Sequence, residues 1–378
     1  MKRLVALIGA VVLVDTMFYA ALTPLLPEYA DDLGLSKAGA GLLTAMYPIG
    51  LIVTGIPAGL GASWLGVKRT LLAGVGGMVV TTALFGFAHS VWLLDVARFL
   101  QGAASSCSWT AGLAWLVADA PSESRGRLIG SAMGAAIFGA MLGPVIGGIA
   151  SVTSTEATFG GVACLGLLLA VWAWTTPAHH EPRRQPISFL LRAARNRRVL
   201  FSVWFIALPA AGFGTLNVLG PLRLDELGLG AVAIGAVWLV SAGCEAALSP
   251  VVGHVSDRRG RLVPLRVGLA AAAAVFAVLP VFDASTWLFV PALVACTIAL
   301  GTFWAPAMSM ASDEAEATGL DYALGFALVN LAWAPAIVAG AAGGGALADA
   351  TSDAVPYLTL SALCALTLAA LWRSVRSW

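Results

Sequence analysis

Twelve apolar segments dominate this chain of 378 residues, each about as long as a helix that crosses a lipid bilayer. Such a helix needs about 20 apolar residues, because each residue advances it by about 1.5 Å. Backbone groups that face lipid must be hydrogen-bonded within the protein, so the segments predict an all-α membrane protein. They are 4–26, 38–60, 70–88, 91–118, 128–152, 158–174, 199–219, 231–253, 262–282, 287–310, 322–348 and 355–372.

The composition agrees with a chain that lies in lipid. Charged residues make up 11% of the sequence and apolar residues 59%, whereas a soluble domain carries about 25% charged residues. The net charge of +1 indicates no nucleic-acid partner. The five cysteines show neither paired nor metal-binding spacing, so we interpret them as small buried apolar residues.

One long connection, rich in arginine, divides the segments into six plus six. It predicts an N-terminal six-helix bundle over residues 1–176, a basic cytoplasmic linker over 177–198 and a C-terminal six-helix bundle over 199–378.

The basic residues predict the orientation. Seventeen of the 21 Lys and Arg residues fall in loops and termini on one side of the predicted helices, and two fall on the other side. By the positive-inside rule both termini are cytoplasmic, in a multi-pass protein of the cell (inner) membrane. The first segment is longer than the apolar region of a signal peptide and carries Asp15, so we expect it to remain as a helix.

Two glycine landmarks indicate an internal repeat. A loop pattern begins at Gly59 and recurs at Gly253, 194 residues later. A glycine pair at Gly147 recurs in a glycine run at Gly343, 196 residues later. Two similar offsets predict two homologous, pseudo-symmetric halves, an architecture typical of transporters that rock around a central site.

Four motifs carry a resemblance to a known family. They are Gly253 to Arg261 after the eighth segment, Arg98-Phe99-Leu100-Gln101-Gly102 in the fourth, Gly130, Gly139, Gly143-Pro144 and Gly147-Gly148 in the fifth, and Asp15 with Pro24-Leu25-Leu26-Pro27 in the first. With these motifs the chain resembles the major facilitator superfamily, in its twelve-span drug/proton antiporter branch. The resemblance implies the fold of that family, with two six-helix bundles.

The sequence also departs from the family pattern. Ser63, Trp64 and Val67 stand where the first loop motif usually carries charged residues. Trp304 and Asn330 stand about where the similar amine carriers hold acidic residues.

Three charged residues lie deep in apolar segments and are the predicted proton-coupling residues: Asp15, Glu245 and Arg98. A charge at the bilayer centre costs about 2.5 to 3.5 kcal/mol and therefore needs a reason. A carboxyl group kept from water favours its neutral form, so it can take up a proton on one side and release it on the other. Structural roles stay open: Asp15 as a permanent partner of Arg98, Glu245 as a packing residue and Arg98 as an anchor.

Aromatic and polar residues at helical spacing around these charges predict the substrate site. Aromatic rings beside carboxylates suit a flat, lipophilic or cationic ligand. For each aromatic residue, contact with lipid or packing remains an alternative. The predicted substrate-binding residues are Asp15, Phe18, Tyr19, Tyr47, Gln101, Ser105, Trp109, Trp238, Ser241, Glu245, Trp304, Asn330 and Trp333.

A third set is predicted to control opening. Small residues of the fifth segment allow a partner helix to pack closely or slide, and Pro144 permits a bend. Loop charges are predicted to pair at the inner face, with loop solubility as the alternative. The set is Gly59, Gly66, Lys68, Asp119, Gly139, Gly143, Pro144, Gly147, Gly148, Gly253, Asp257, Arg258, Gly260, Arg261, Asp313 and Glu314.

The resemblance implies a secondary active transporter, with proton-coupled efflux of small lipophilic or cationic compounds by alternating access. A facilitator or symporter for a small polar metabolite stays open, as does a membrane receptor or membrane-embedded enzyme. The sequence holds no P-loop, Gly-x-Ser-x-Gly or zinc-binding pattern, so we expect no enzyme, cofactor or metal. We expect a monomer whose partners are a small-molecule substrate, protons and the lipid bilayer.

Overall fold

The protein is built from helices, and the described residues contain no strand. The structure, a computed structural model, describes residues 2–120, 125–178, 195–317 and 322–374. Most of the predicted linker, residues 179–194, lies outside this part. The helices are α1 Lys2–Ala20, α2 Leu26–Leu33, α3 Lys37–Trp64, α4 Val67–Gly86, α5 Val91–Asp119, α6 Arg125–Val152, α7 Thr155–Thr175, α8 Arg197–Glu226, α9 Ala231–Arg259, α10 Leu262–Phe282, α11 Thr286–Gly301, α12 Trp304–Ala317, α13 Tyr322–Val338, α14 Gly344–Ala350 and α15 Ala354–Ser374.

Three of the predicted spans are not single straight helices. α1 and α2 form one rod, Lys2–Leu33, that a 3₁₀ turn at Thr23–Leu25 interrupts beside Pro24. α11 and α12 are separated by a two-residue turn, and α13 and α14 by a π-helical turn at Ala339–Gly343. A π turn leaves backbone groups without their usual helical partners, and here the Thr215 hydroxyl donates to the Gly340 carbonyl at 3.0 Å.

The prediction of an all-α membrane fold is confirmed. In the described part, eleven rods are long and apolar enough to cross a membrane. The twelfth predicted span, α5, has 29 residues but is more polar. Its polar residues face the protein interior, because Arg98, Gln101, Ser105, Ser106 and Ser108 are all buried. A helix shielded from lipid by its neighbours can carry such residues.

Short connections make the internal repeat visible in the backbone. All four glycines with positive φ in the described residues fall in loops, at Gly34, Gly66, Gly228 and Gly260. Only glycine adopts such φ values without strain. They form two pairs, 34 with 228 and 66 with 260, and both offsets are 194 residues. The turns of the two halves are therefore equivalent, at the spacing that the sequence predicts.

Close helix contacts hold each bundle together. We call α1 to α7 the first bundle and α8 to α15 the second. α5 packs between α3 and α4, where a Cβ at Gly102 would collide with the Tyr47 carbonyl and one at Gly50 with the Phe99 carbonyl. In the second bundle α10 packs against α11 and α15, and α8 packs against α13.

The two bundles meet along two seams. One joins α6 to α9, where a Cβ at Gly235 would lie 2.7 Å from the Pro144 carbonyl. The other joins α3 to the π turn and α14, where a Cβ at Gly41 would collide with the Ala341 carbonyl and one at Gly345 with the Lys37 carbonyl. Gly41, Gly345 and Lys37 all lie at one end of the molecule. We call this end, where α3 begins, the Lys37 end, and the opposite end, where α3 finishes, the Lys68 end.

The outer surface is apolar and rimmed with tryptophan. Trp92 and Trp287 near the Lys37 end are 72% and 90% exposed, and Trp174 near the Lys68 end is 71% exposed. Tryptophan is enriched where a membrane protein meets the lipid headgroups. This surface fits a protein embedded in a bilayer.

Candidate functional site

A cavity of about 170 Å³ lies between the two bundles, and both contribute to its walls. The wall from the first bundle consists of Tyr19, Ala20, Leu22, Thr23, Thr44, Arg98, Ala140 and Pro144. The wall from the second bundle consists of Phe213, Asn217, Trp238, Ser241, Ala242, Glu245 and Thr297. The cavity therefore depends on how the bundles are placed against each other.

Arg98 lies on the first wall and is almost completely buried, with 1% of its surface exposed. Its Nη1 donates to Gln101 Oε1 at 2.7 Å, and its Nη2 donates to the Tyr19 carbonyl at 3.3 Å. The guanidinium carbon lies 5.5 Å from the Tyr19 ring centre and 5.4 Å from that of Tyr47, within the range of cation-π attraction. Arg98 Nε has no hydrogen-bond partner.

Asp15 does not line the cavity. It is fully buried, and three side chains enclose one of its oxygens, Oδ2. Ser105 Oγ donates to it at 2.7 Å and Trp109 Nε1 at 2.8 Å, and the Tyr47 hydroxyl lies 3.1 Å away. Oδ1 has no partner. The predicted substrate contact of Asp15 is therefore absent from this arrangement, while the predicted neighbourhood of Asp15, Tyr47, Ser105 and Trp109 is present.

The predicted alternative for Asp15, a direct pair with Arg98, is also absent. The hydrogen bonds of Arg98 go to Gln101 and Tyr19, and those of Asp15 go to residues of α3 and α5. Tyr47 connects the two charges, since its ring lies beside Arg98 and its hydroxyl contacts Asp15. Tyr47 does not line the cavity itself, so it lies between the buried carboxylate and the cavity-lining Arg98.

Glu245 lies on the opposite wall, on α9, and is half-buried. Its side chain passes over Gly301 of α11, where an added Cβ would lie 2.8 Å from Glu245 Cγ. Among the described residues its carboxylate has no hydrogen-bond or ion-pair partner. Ser241, one turn earlier, also lines the cavity, and its hydroxyl donates a hydrogen bond to the Val237 carbonyl.

Trp238 and Asn217 form a fixed polar pair on the same wall. Trp238 Nε1 donates to Asn217 Oδ1 at 2.9 Å, which leaves the Asn217 amide NH₂ as a donor. Sequence reasoning selects Trp238 but misses Asn217, and it also misses Thr44, Thr297 and Phe213. Single small polar residues in apolar helices are common, and no sequence signal separates these from the others.

Of the predicted substrate-binding residues, those that line the cavity are Tyr19, Trp238, Ser241 and Glu245, while Gln101 accepts a hydrogen bond from Arg98. Four others lie neither on the cavity wall nor against Asp15 Oδ2. Phe18 is buried in an aromatic cluster, with its ring centre 5.5 Å from that of Phe85 and 5.3 Å from that of Phe159, so it does not line the cavity. Trp304 is stacked on the back of Phe213 with ring centres 6.1 Å apart, and Trp333 contacts Tyr19 edge-on at 5.9 Å. Asn330 is half-buried and does not line the cavity.

The predicted close packing of the α6 glycines is present. A Cβ at Gly139, Gly143 or Gly147 would collide with backbone or side-chain atoms of the first rod, and a Cβ at Gly148 would touch Val232 of α9 at 3.5 Å. α6 therefore contacts α1 through one flank and the second bundle through another. Gly59 and Gly253 have open space around their Cα atoms, and Gly66 and Gly260 form the turns described above.

The predicted charge contacts at the Lys68 end are present in part. Arg261 pairs with Asp313 at 2.5 Å, which joins two helices of the second bundle to each other. Lys68 Nζ donates to the Trp174 carbonyl at the end of α7 at 2.6 Å, and Asp119 accepts from Trp115 Nε1 at 3.2 Å. Asp257 and Arg258 are exposed and make no ion pair in the described part, and Glu314 is half-buried. The contacts of Arg261, Lys68 and Asp119 each lie within a single bundle, and the inner gate, predicted to close in one state only, stays a prediction.

Charge contacts at the Lys37 end join the two bundles. Lys37 Nζ of α3 lies 2.6 Å from Asp353 Oδ1 and 3.9 Å from Glu226 Oε1. The backbone amides of Lys37 and Ala38 donate to Asp349 at 3.1 and 2.8 Å. Sequence reasoning misses this cluster, because its acidic partners lie more than 180 residues away along the chain.

A family comparison decides what kind of protein has this architecture. The sequence model of the Major Facilitator Superfamily matches residues 8–337, most of the chain. The chain belongs to the Major Facilitator Superfamily. Members of this superfamily are transporters.

Relatives within the superfamily include resistance proteins. The chloramphenicol resistance protein of Streptomyces lividans is 30% identical over 254 residues, which cover 63% of this chain and 62% of that protein. The tetracenomycin C resistance and export protein of Streptomyces glaucescens is 31% identical over 209 residues, covering 53% and 38%. Curated relatives are matched over 29% to 62% of their own length.

Solved superfamily structures share the fold. The nucleoside transporter NupG superposes with a TM-score of 0.76 and 13% identity, covering 99% of each chain. At that identity the likeness concerns the fold alone.

Proposed function

We propose that this protein exports small lipophilic or cationic compounds from the cell in exchange for protons, as a member of the twelve-span drug/proton antiporter branch. One observation carries the proposal: the cavity has two ionisable groups, Arg98 and Glu245, on walls that belong to different bundles. Any movement of one bundle against the other changes the distance between those groups, so binding and opening are coupled.

The distribution of basic residues predicts which end of the protein faces the cytoplasm. With the basic loops in the cytoplasm, the Lys68 end faces inward and the Lys37 end faces outward, in the inner membrane. The Lys37 contacts would then hold the outer end closed. A closed outer end belongs to the inward-facing half of an alternating-access cycle, in which an exporter takes up its substrate. The linker 177–198 would join the bundles on the same side.

Asp15 and Glu245 are the proposed proton carriers. Both carboxyl groups lie within membrane helices, where the neutral form is favoured until water reaches them. Glu245 faces the cavity directly, while Asp15 is reached through Tyr47. Arg98 would hold the Tyr19 and Tyr47 rings in place and respond to the charge of both acids.

The names of two relatives support export. One is a resistance protein against chloramphenicol and the other a resistance and export protein for tetracenomycin C. Export of a small, largely apolar compound is the shared expectation, and the mixed apolar and aromatic lining of this cavity is compatible with it.

Transport by purified protein in lipid vesicles tests the proposal. A panel of lipophilic cations, neutral aromatics and polar metabolites is applied with a pH gradient of either sign, with protein-free vesicles as the control. We expect movement of at least one lipophilic compound that reverses direction with the gradient. Proton exchange is contradicted if the direction and rate of transport do not change with the pH gradient for any compound in the panel.

One observation favours the alternative, a facilitator or symporter for a polar metabolite. Thr44, Asn217 and Thr297 place hydroxyl and amide groups on the cavity wall. Uptake of a sugar or nucleoside in the same panel, with no export of lipophilic compounds, would select this alternative. Turnover or signalling without transport would select an embedded enzyme or receptor.

A further inference from the structure

Two ionisable groups line the cavity from different bundles, and neither has a counter-charge of its own. Arg98 stands on the first wall and Glu245 on the second. Among the described residues no carboxylate lies within ion-pair distance of Arg98, and none of the basic residues pairs with Glu245. A buried charge without a partner is costly, and such a site is stabilised when a ligand supplies the missing charge.

We propose that the cavity binds a dipolar ligand, a small aromatic or aliphatic molecule that carries an anionic group for Arg98 and a basic nitrogen for Glu245. The proposal rests on the proposed transport function and narrows its substrate class from small lipophilic or cationic compounds to those that carry both a basic nitrogen and an anionic group. The two ligand charges would bridge the two bundles.

Arg98 has unused donor capacity toward the anionic group. A guanidinium group offers five N–H donors, and here two bonds are made, one of them long at 3.3 Å. Nε has no partner although the residue is 1% exposed. The Tyr19 and Tyr47 rings lie within cation-π range of the guanidinium carbon. Arginine can bind a carboxylate with two parallel hydrogen bonds.

Asp15 does not take this position. Its Oδ2 is occupied by groups of α3 and α5, and it is fully enclosed. Tyr47 separates the carboxylate from Arg98, so Asp15 attracts the guanidinium only from a distance. The cavity-facing side of the guanidinium is left without an anion.

Glu245 and its surroundings suit the basic end of the ligand. Its carboxylate reaches the cavity past Gly301, and Trp238 lines the wall two turns earlier on the same helix. An ammonium group between a carboxylate and an aromatic ring gains both ionic and cation-π attraction. Asn217, fixed by Trp238, presents its amide NH₂ for a neutral acceptor on the ligand body.

Matched probes separate the two ligand charges. Tryptophan carries both, tryptamine only the basic nitrogen, and indole-3-propionate only the carboxylate; phenylalanine, phenethylamine and 3-phenylpropionate form a second series. Binding to purified full-length protein in lipid nanodiscs, without any gradient, is measured by calorimetry. We expect the zwitterion to bind about tenfold or more tightly than either singly charged partner in at least one series.

Substitutions assign each charge to its wall. Arg98→Gln should weaken the zwitterion and the carboxylate probe about tenfold and leave the amine probe unchanged, and Glu245→Gln should show the reverse pattern. Arg98→Lys, which keeps the charge, serves if the glutamine variant does not fold. Arg266→Gln and Glu156→Gln are the matched controls, because neither residue lines the cavity.

The proposal is overturned if an amine probe binds as tightly as its zwitterion in both series, or if no zwitterion binds at millimolar concentration. Unchanged binding of the zwitterion and the carboxylate probe to a folded Arg98→Gln variant also overturns the proposal. Because these measurements use no gradient, proton exchange in vesicles can fail while dipolar binding holds, and the reverse.

Discussion

At the scale of single residues, the charged side chains inside the helices have different surroundings and therefore different tasks. Asp15 is enclosed by Tyr47, Ser105 and Trp109, while Glu245 faces the cavity without a partner. Both are compatible with proton transfer, but of the two only Glu245 lines the cavity. This difference leads to two predictions about individual side chains.

The first concerns the two acids. Asp15→Asn and Glu245→Gln remove the titrating group while keeping shape and an acceptor oxygen, so we expect efflux driven by a pH gradient to fall to background in each variant. Gel-filtration behaviour and the thermal midpoint should stay near those of the parent protein. The measurement is efflux from vesicles with an imposed gradient, and Glu156→Gln is the control. Full gradient-driven efflux in both variants contradicts their role.

The second separates the two aromatic residues that sequence reasoning treats alike. Phe18→Leu leaves a gap in the cluster with Phe85 and Phe159, so we expect a loss of about 1 kcal/mol in stability with substrate affinity unchanged. Trp238→Phe removes the bond to Asn217, so we expect weaker substrate binding with little loss of stability. Thermal unfolding and calorimetric binding are measured on both. If Phe18→Leu weakens substrate binding and Trp238→Phe does not, the Phe18 ring contributes to the substrate site.

At the scale of elements, glycine decides how closely the helices approach. On α6, Gly139, Gly143 and Gly147 face the first rod, while Gly130 and Gly134 of the same helix have open space. Of these glycines, only Gly139, Gly143 and Gly147 therefore require the absence of a side chain.

We accordingly expect opposite effects from one substitution at two positions of α6. A Cβ at Gly143 would lie 2.7 Å from the Met17 carbonyl, so Gly143→Ala should cost about 1 to 3 kcal/mol and slow transport. Gly134→Ala meets nothing and should be neutral or slightly stabilising. Thermal unfolding and initial transport rates are compared. Equal behaviour of the two variants would show that the contact with α1 does not limit either property.

At the scale of the whole molecule, the ion pairs differ in whether they join the two bundles to each other. The Lys37 cluster joins α3 to the second bundle, whereas the Arg261–Asp313 pair lies within the second bundle. The two ion pairs resemble each other in distance but differ in what they hold together.

Breaking the first pair should therefore open the Lys37 end, and breaking the second should not. We expect Lys37→Met and Asp353→Asn to lengthen the distance between spin labels at Ser90 and Ser352, measured by pulsed electron resonance on a cysteine-free background. Arg261→Met is the control and should leave that distance unchanged. The exchange Lys37→Asp with Asp353→Lys should restore the short distance. An unchanged distribution in all variants means that the helix seam, rather than the charges, closes this end.

Local physical chemistry determines much of this protein from its sequence. Apolar segments of bilayer length specify the helices, loop glycines specify the repeat, and the few charges inside apolar segments mark Asp15, Arg98 and Glu245 as residues that need a reason. These features depend on neighbours along the chain or on the solvent, so no tertiary contact is needed to recognise them.

Tertiary structure decides which of these residues meet. Phe18 and Tyr19 are adjacent in sequence, yet the turn of the helix sends one into an aromatic core and the other to the cavity. Asn217 and the partners of Lys37 become visible only when helices far apart in the chain are packed side by side. Such contacts depend on the rotation and spacing of whole helices, and the pattern of one helix does not contain that information.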